Sequence, residues 1–564
     1  MLVKSEQDEI QSFLADSSNL AGGHAARVLI PESAEEMAEA LARATREQTP
    51  VTVAGAGTGI VGGRVPFGGV VLSTARLNRI AEIVREDSAA QDGRGRATED
   101  WEGRATEDCG GHALEGRGGR ATAGAGVVLS DFQREVGARG LLYPPDPTET
   151  SCYLGGTVAT NASGARTFKY GPTRAYVRRL KVALAAGELL DIRRGERFAD
   201  ADGRFRLPLG DGRGIEGRLP SYTMPATRKH AAGYYVAPGM DLIDLFIGSE
   251  GTLGVVAEVE VSLLPRPEGV LAGVVFFKRE EDLLAFVREA RGRSLATRAA
   301  RRRDGREARV EGLSGSAGLS SASGERLFKG VGPSANAELD ARALEYFDAE
   351  SLKFLRERYP LVPLGAAGAV FFEQETNART EDELLAAWLK LVETHNALAD
   401  DSWFGTNEHD RAEMRAFRHA LPVMVNEWLA RRGQRKVSTD MAVPDEAFPE
   451  MLQFYKDTLR AGRLQYVIFG HIGDNHVHVN ILPRDDLEAV AARETYARFI
   501  ERAVSLGGTI SAEHGVGKLK REYLRALYGE RHLREMAALK RAFDPACVLG
   551  RGNIFAEEFL NAAG

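Results

Sequence analysis

YPPDPTETSCYLGGTVATNASGARTFKYG, residues Tyr143–Gly171, is the stretch from which the rest of the chain can be read. Turn formers crowd its first third, and small residues then follow with no period of two or 3.6 to explain them. A backbone kept bare of side chains suits a wide, flat ligand lying against it. Two other segments share the property: GAGTGIVGGRVP at Gly55–Pro66, after a short apolar strand at Pro50–Ala54, and GSEGTLGVV at Gly248–Val256, with Glu250 caught between glycines. Such loops turn sharply and present N–H groups to a pyrophosphate. The first is not spaced GxGxxG and no helix clearly starts from it, so a Rossmann dinucleotide site is the poorer reading. One glycine loop is usually only a turn. Three in one half of a chain weaken that explanation.

Outward from these loops, patterning predicts a helix over Pro31–Ala44 and strands at Val70–Ser73, Val177–Ala185, Leu189–Arg193 and Val255–Leu264. A strand should run into a helix across Gly124–Gly140. LLPRP at Leu263–Pro267 marks a domain edge. Beyond it, helices are expected at 340–358, 380–397, 489–506 and just before Asp544. A further helix is expected at 408–432 if Pro422 kinks or breaks it, and a strand–turn–strand at 465–482. Two tracts lack apolar periodicity: 87–120, where GRATED repeats, and 293–326, Arg-rich and then Ser/Gly-rich. Both read as solvated insertions.

The chain has 564 residues, 43% hydrophobic and 27% charged, with a net charge of -7. That implies more than one domain and gives no general pull toward nucleic acid. No apolar run is long enough to span a bilayer, and the charged N-terminus lacks a signal h-region. The three cysteines, Cys109, Cys152 and Cys547, form no metal, cluster or disulfide spacing, so a cytoplasmic location is expected. Peripheral membrane contact and a homodimer stay open.

Histidines are few, at 11, yet four fall in two short segments. In QYVIFGHIGDNHVHVNIL, His476, His478 and Asn480 alternate with Val477, Val479 and Ile481, and the Gly473–Asp474 turn can return His471 beside them. GGTISAEHGVGK adds Glu513 and His514. Imidazoles with a carboxylate suit a borderline divalent ion, and the pattern is not HExxH.

Together, PVTVAGAGTG, the Tyr143–Gly171 stretch and IGSEGTLGVV resemble the FAD-binding domain of the vanillyl-alcohol oxidase and p-cresol methylhydroxylase type flavoproteins. They most resemble the D-lactate dehydrogenase, glycolate oxidase and D-2-hydroxyglutarate dehydrogenase branch. The similarity covers most of the chain outside the two inserts. It implies an α+β fold: a two-subdomain FAD-binding domain over 1–266, a substrate (cap) domain over 267–520 with an antiparallel sheet flanked by helices, and a C-terminal segment, 521–564, packing back on the first.

By the same resemblance, Gly55, Gly57, Thr58, Gly59 and Gly62 hold the FAD pyrophosphate. Pro145, Asp146, Ser151, Gly155, Gly156, Thr160, Asn161, Gly164 and Ala165 run along the cofactor. Gly251, Gly254 and Val255 approach its adenine side, and Asn553 touches the flavin. The first loop has no histidine, so non-covalent FAD is implied. The hairpin resembles GHxGDGNxH and the next segment EHG. His471, His478 and Glu513 then take metal-ligand positions, His514 the catalytic base and Asn480 a substrate contact. Asn475 and His476 stand where that pattern has Gly and Asn, so His476 can alter the metal site. MRAFRHALP and RKVSTDMAVP place Arg418 and Lys436 for a substrate carboxylate.

The implied activity is FAD-dependent oxidation of a small-molecule 2-hydroxy acid, D-lactate, glycolate or D-2-hydroxyglutarate in type. A divalent metal, Zn2+ ahead of Mn2+ or Fe2+, assists proton removal, and an unidentified acceptor reoxidises the flavin. The rivals are a flavin-fold transferase of the alkyl-dihydroxyacetone-phosphate synthase kind, a metal hydrolase whose glycine loops are only structural, and a non-catalytic FAD-binding subunit.

Overall fold

The computed structural model describes residues 1–86, 118–210, 212–314 and 338–561, with 304–314 and 561 described by backbone alone. The Cys109 position and most of the GRATED repeats therefore lie outside the described residues.

Among the described residues the first half builds two principal sheets and a two-stranded ribbon, Arg204–Pro208 with Gly214–Arg218. In the smaller principal sheet, the strands Arg27–Ile30, Val70–Ser73 and Val51–Ala54 run parallel, with Leu2–Lys4 antiparallel at one edge. The helix Ala34–Arg46 begins at Ser33, whose side chain accepts from the Glu36 N–H, and buries Met37, Leu41 and Ala44. The larger sheet is antiparallel. Its central strand Val255–Pro265 pairs with Gly119–Gly124 on one side and Val177–Ala183 on the other. The third GRAT, at Gly119–Thr122, is thus strand and not insertion, a correction to the expected boundary at 120. Its glycine and alanines leave no periodic signal, but glycine is required there: a Cβ on Gly119 would lie 2.1 Å from the Val84 carbonyl oxygen.

The second half is built on a seven-stranded sheet, ordered Trp403–Gly405, Gly269–Phe277, Gly368–Thr376, Ala341–Asp348, Tyr466–Gly470, His478–Ile481 and Val437–Ser438, with antiparallel neighbours. Helices Glu280–Ser314, Ala349–Arg356, Glu381–Thr394, Glu408–Ala430, Phe448–Ala461 and Asp486–Ser505 accompany it. Two expectations are corrected. ARALEYFD at 341–348 is a strand, not the start of a helix. All eight residues are buried, and a strand buried on both faces shows no alternation, so its Ala, Leu and Glu mimic a helix. The basic tract expected as a loop is helical from Arg293 to Ser314, and its remainder, 315–326, lies outside the described residues. Its inward face includes Arg298, whose Nε donates to Asp340 Oδ1 at 2.7 Å in the interior. Pro422 sits inside Glu408–Ala430 without dividing it.

The C-terminal segment returns to the first sheet. Val51 N donates to the Val548 carbonyl at 2.8 Å, and Gly550 N donates to Val51 O at 2.9 Å. No helix among the described residues is long and apolar enough to cross a membrane.

Candidate functional site

The second and third glycine-rich segments pack directly on each other. The Tyr143–Gly171 stretch contains two short helices, Leu154–Ala159 and Thr167–Tyr170, too brief to leave a period in the sequence. Gly248 N donates to Val158 O at 3.0 Å and Glu250 N to Ala159 O at 2.8 Å, docking the third loop on the second. The Glu250 carboxylate accepts from Val516 N and Gly517 N, both at 2.7 Å, and so reaches the segment just after Glu513–His514. Asn553 Nδ2 donates to Gly63 O at 3.0 Å while its Oδ1 accepts from Lys518 Nζ at 2.7 Å. Asn553 thereby ties the first loop to the C-terminal segment.

The glycines divide into two kinds. A Cβ on Gly155 would lie 2.5 Å from Ala125 Cβ, on Gly164 1.8 Å from the Asp146 carbonyl oxygen, and on Gly254 2.6 Å from a Val182 methyl. Protein packing alone demands glycine there. Gly57, with φ of +88°, would strike the Arg64 guanidinium, Gly62 would meet Leu20 at 2.8 Å, and Gly251 approaches Val53 at 3.2 Å. Gly59 and Gly156 differ: nothing lies within 4 Å of a Cβ at either, so their backbone faces open space. Gly55 is nearly as free, with Tyr153 at 4.0 Å.

Other residues of the stretch are engaged within the protein. Pro145 O accepts from Gln133 at 3.0 Å, Ser151 Oγ donates to Glu149 at 2.6 Å, Thr160 Oγ1 donates to Gly156 O at 3.0 Å, and Asn161 Oδ1 accepts from Arg174 N at 3.0 Å. Thr58 is half-buried, and Ala165 and Val255 are buried. Asp146 pairs with Arg166 at 3.4 Å and lines a cleft of about 280 Å³ with Pro147, Thr148, Thr150, Arg418 and His419.

The histidines and Glu513 do converge. Glu513 Oε1 lies 3.3 Å from His471 Nε2 and 3.2 Å from His478 Nε2, and Oε2 lies 3.9 Å from His476 Nδ1. One donor atom from each of these four residues can be chosen so that all lie within 4.8 Å of one another. The outer nitrogens are fixed as well. His471 Nδ1 faces Glu345 at 2.6 Å, and His478 Nδ1 faces the Thr439 carbonyl at 3.0 Å. Outer acceptors of this kind choose the tautomer and aim the other nitrogen inward. Burial alone would lower His471, but Glu345 and Glu513 overcome it and raise it to about 9. Despite the cost of burial, Lys229 and the imidazoles hold Glu513 well below the usual carboxylate range.

His514 stacks on His478, 5.4 Å between centroids and 12° between planes. Its Nδ1 is 3.3 Å from Asp440 Oδ2 and its Nε2 is 3.7 Å from Glu513 Oε1, and burial pushes its pKa down to about 4. Asn480 is 1% exposed, and both its amide atoms lack a hydrogen-bond partner. Arg418 Nε donates to Glu345 Oε2 at 3.0 Å, so it reaches His471 through one carboxylate. Lys436 is half-buried, its pKa lowered by burial, and among the described residues it makes no ion pair with the cluster.

Four residues at the centre escaped the sequence reading. Lys229, 1% exposed, donates to Gly164 O at 2.8 Å and to Glu513 Oε2 at 3.1 Å. Ser163 Oγ donates to the same carboxylate oxygen at 3.3 Å, so the small-residue stretch touches the imidazole cluster directly. Glu345 was hidden by the helical reading of its strand; a carboxylate between Leu344 and Tyr346 in mid-strand was its signal. Asp440, in VSTDMAV, accepts from Ser511, Lys520 and the Glu513 and His514 N–H groups. A carboxylate amid that apolar run was the equivalent signal.

Two family models match the chain. Residues 25–100 and 107–193 match the FAD binding domain model, and 316–554 match the FAD linked oxidases, C-terminal domain model. The chain is 27% identical to glycolate oxidase subunit GlcD of Bacillus subtilis (strain 168), covering 94% of this chain and 89% of that protein. It is 27% identical to a D-lactate dehydrogenase of Anaerostipes hadrus, over 97% and 93%. It is 25% identical to the mitochondrial D-2-hydroxyglutarate dehydrogenase of Danio rerio, over 96% and 81%. A solved alkyldihydroxyacetonephosphate synthase shares the fold, with a TM-score of 0.58 at 12% identity over 97% of this chain and 81% of that one.

Proposed function

Because this chain carries both domains of the FAD-linked oxidases and is an FAD-dependent oxidoreductase, we propose that it oxidises a 2-hydroxy acid of the D-lactate, glycolate or D-2-hydroxyglutarate type to the 2-oxo acid. The observation that carries the reading is Glu513, which faces His471 and His478 on one side and Ser163 and Lys229 on the other. A cation-binding set thus adjoins the bare backbone suited to a flat cofactor. FAD fits the loops where Gly59 and Gly156 face open space, and when bound it supplies the hydride acceptor. A divalent cation fits His471, His478 and Glu513, and when bound it supplies Lewis acidity at the substrate hydroxyl.

The protein's own contribution follows from its contacts. His514 is neutral near pH 7 because burial lowers its pKa, and Asp440 orients the ring through Nδ1. Nε2 is then the atom that accepts the hydroxyl proton. Arg418, in the cleft with Asp146 and His419, supplies a planar fork for the substrate carboxylate, and half-buried Lys436 a second cation. Asn480, with both amide atoms unpartnered, offers the substrate a donor and an acceptor. Anaerobic mixing with a panel of D- and L-2-hydroxy acids should bleach the flavin absorbance with at least one of them; no bleaching by any would reject the reading. His514→Ala should retain FAD while flavin reduction falls about 10²–10⁴-fold.

A further inference from the structure

Two imidazoles and a carboxylate leave the most deeply buried histidine of the hairpin unexplained. His476 is 0% exposed, and neither ring nitrogen makes a hydrogen bond of adequate geometry, although Nε2 is 3.2 Å from Asp440 Oδ1. A buried polar ring left unsatisfied is costly, and a ligand on one nitrogen removes that cost. Its placement repeats that of its neighbours. His471 sets Nδ1 against Glu345 and Nε2 toward Glu513; His478 sets Nδ1 against the Thr439 carbonyl and Nε2 toward Glu513. His476 sets Nε2 against Asp440 and Nδ1 toward Glu513. Each ring therefore has one nitrogen at an outer oxygen and one aimed at the same carboxylate, the construction by which proteins orient metal-bound imidazoles.

The three rings form a closed triangle, with centroids 5.4, 4.5 and 5.5 Å apart. Donors about 2.1 Å from one tetrahedral ion lie about 3.4 Å from each other. Glu513 Oε1 lies 3.2 Å from His478 and 3.3 Å from His471, close to that spacing; the other carboxylate oxygen, Oε2, lies 3.9 Å from His476 Nδ1, and one donor atom from each of the four residues falls within 4.8 Å of the rest. The backbone makes room for the third ring: Asn475 takes φ of +53°, a conformation asparagine tolerates, and its Nδ2 donates to Asp445 at 2.6 Å. The competing set of Asp440, His478, Glu513 and His514 is less suited. Asp440 Oδ2 already accepts from Ser511 and Lys520, both at 2.6 Å, and Oδ1 faces His476.

We propose that His476 is a third imidazole ligand, so that this chain holds its cation through His471, His476, His478 and Glu513. The proposal rests on the reading of the cluster as a cation site. Three nitrogen donors and one carboxylate favour borderline ions such as Zn2+, Fe2+ or Co2+ over Mg2+ or Ca2+.

Co2+ alone, added to the flavin-loaded full chain stripped of metal, serves as the probe. Bound Co2+ should give three hyperfine-shifted, solvent-exchangeable imidazole N–H signals in proton NMR, one from the outer nitrogen of each ligand. His476→Asn should show two signals and hold Co2+ at least about 10-fold more weakly in competition with a chromophoric chelator, while His514→Ala should keep all three. The wild-type spectrum decides even if a variant fails to fold. Two signals there, or three that persist in His476→Asn, overturn the assignment and leave the cation site standing. No stoichiometric uptake of Co2+ by the wild type overturns the cation site itself.

Discussion

The two halves of the site are built by opposite means. On the proposed reading the FAD-binding half works through backbone, and the sequence contributes by withholding side chains, as at Gly59 and Gly156, where a Cβ would meet nothing. In the second half the working parts are side chains brought from distant segments: Glu345 from mid-sheet, Arg418 from a helix, Asp440, the 471–478 hairpin, and Glu513–His514. The first device tolerates any backbone path that keeps the surface bare. The second requires several atoms to arrive within a few tenths of an ångström of one another. Damage to the first should appear as weaker cofactor retention, and damage to the second as lost chemistry with the cofactor in place.

Glu513→Ala should give the largest separation of the two. It removes the carboxylate shared by the imidazoles, Lys229 and Ser163. Stopped-flow flavin reduction should fall by at least about 10³-fold, in the range that loss of a positioned charge produces, with the FAD spectrum retained. Parallel loss of FAD and activity would break the distinction.

Asp440→Asn comes next. It keeps the volume but weakens the anchor of His514 Nδ1 and the Lys520 ion pair. The reduction rate should drop about 10–100-fold, the usual cost of an outer partner, with a smaller change in KM. An unchanged rate would show that His514 does not need the anchor.

On the cofactor side, Gly164→Ala and Gly156→Ala sharpen the contrast within one stretch. The first forces a Cβ to 1.8 Å from a carbonyl oxygen, a strain of about 1–3 kcal/mol that should weaken FAD retention roughly 10-fold and lower the melting temperature of the FAD-free chain. The second meets no protein atom and replaces a helical glycine, so the FAD-free chain should melt no lower and any loss of FAD affinity reports contact with the cofactor.

The smallest effect expected is one of pH on stability, away from both loops. Burial raises Asp348 to about 6 despite hydrogen bonds from Ser351 and the Ile468 N–H. Below its ordinary value the carboxyl is protonated in both folded and unfolded chains. Between about 4 and 6 only the unfolded form ionises, so stability falls as pH rises and levels off above 6. A shift of about two units corresponds to ~3 kcal/mol, roughly 3 °C in melting temperature for a chain this long. Asp348→Asn should flatten that slope; an equal slope would place its origin elsewhere.

Much of the fold and cluster was legible, for local reasons. The strand before the first glycine loop, the hairpin at 465–482 and the helix before Asp544 each carry their periodicity or turn within about twenty residues. Misreadings occurred where burial erases such patterns. ARALEYFD, buried on both faces, looked helical and concealed Glu345; the basic tract from Arg293 looked solvated, although Asp340 waits in the interior to receive Arg298. Lys229 left no trace because its partners, Gly164 O and Glu513, lie far away in the chain.

By itself the sequence determined which segments are rich in small residues, and which residue types could hold a cation. Both depend on composition and spacing within a single segment. Only the tertiary structure decided that Glu513 faces three imidazoles at once, that Lys229 and Ser163 join it to the glycine stretch, and that Glu345 and Asp440 stand behind the rings. Those relations are distances across sheets and loops, and only the packing of the folded chain sets them.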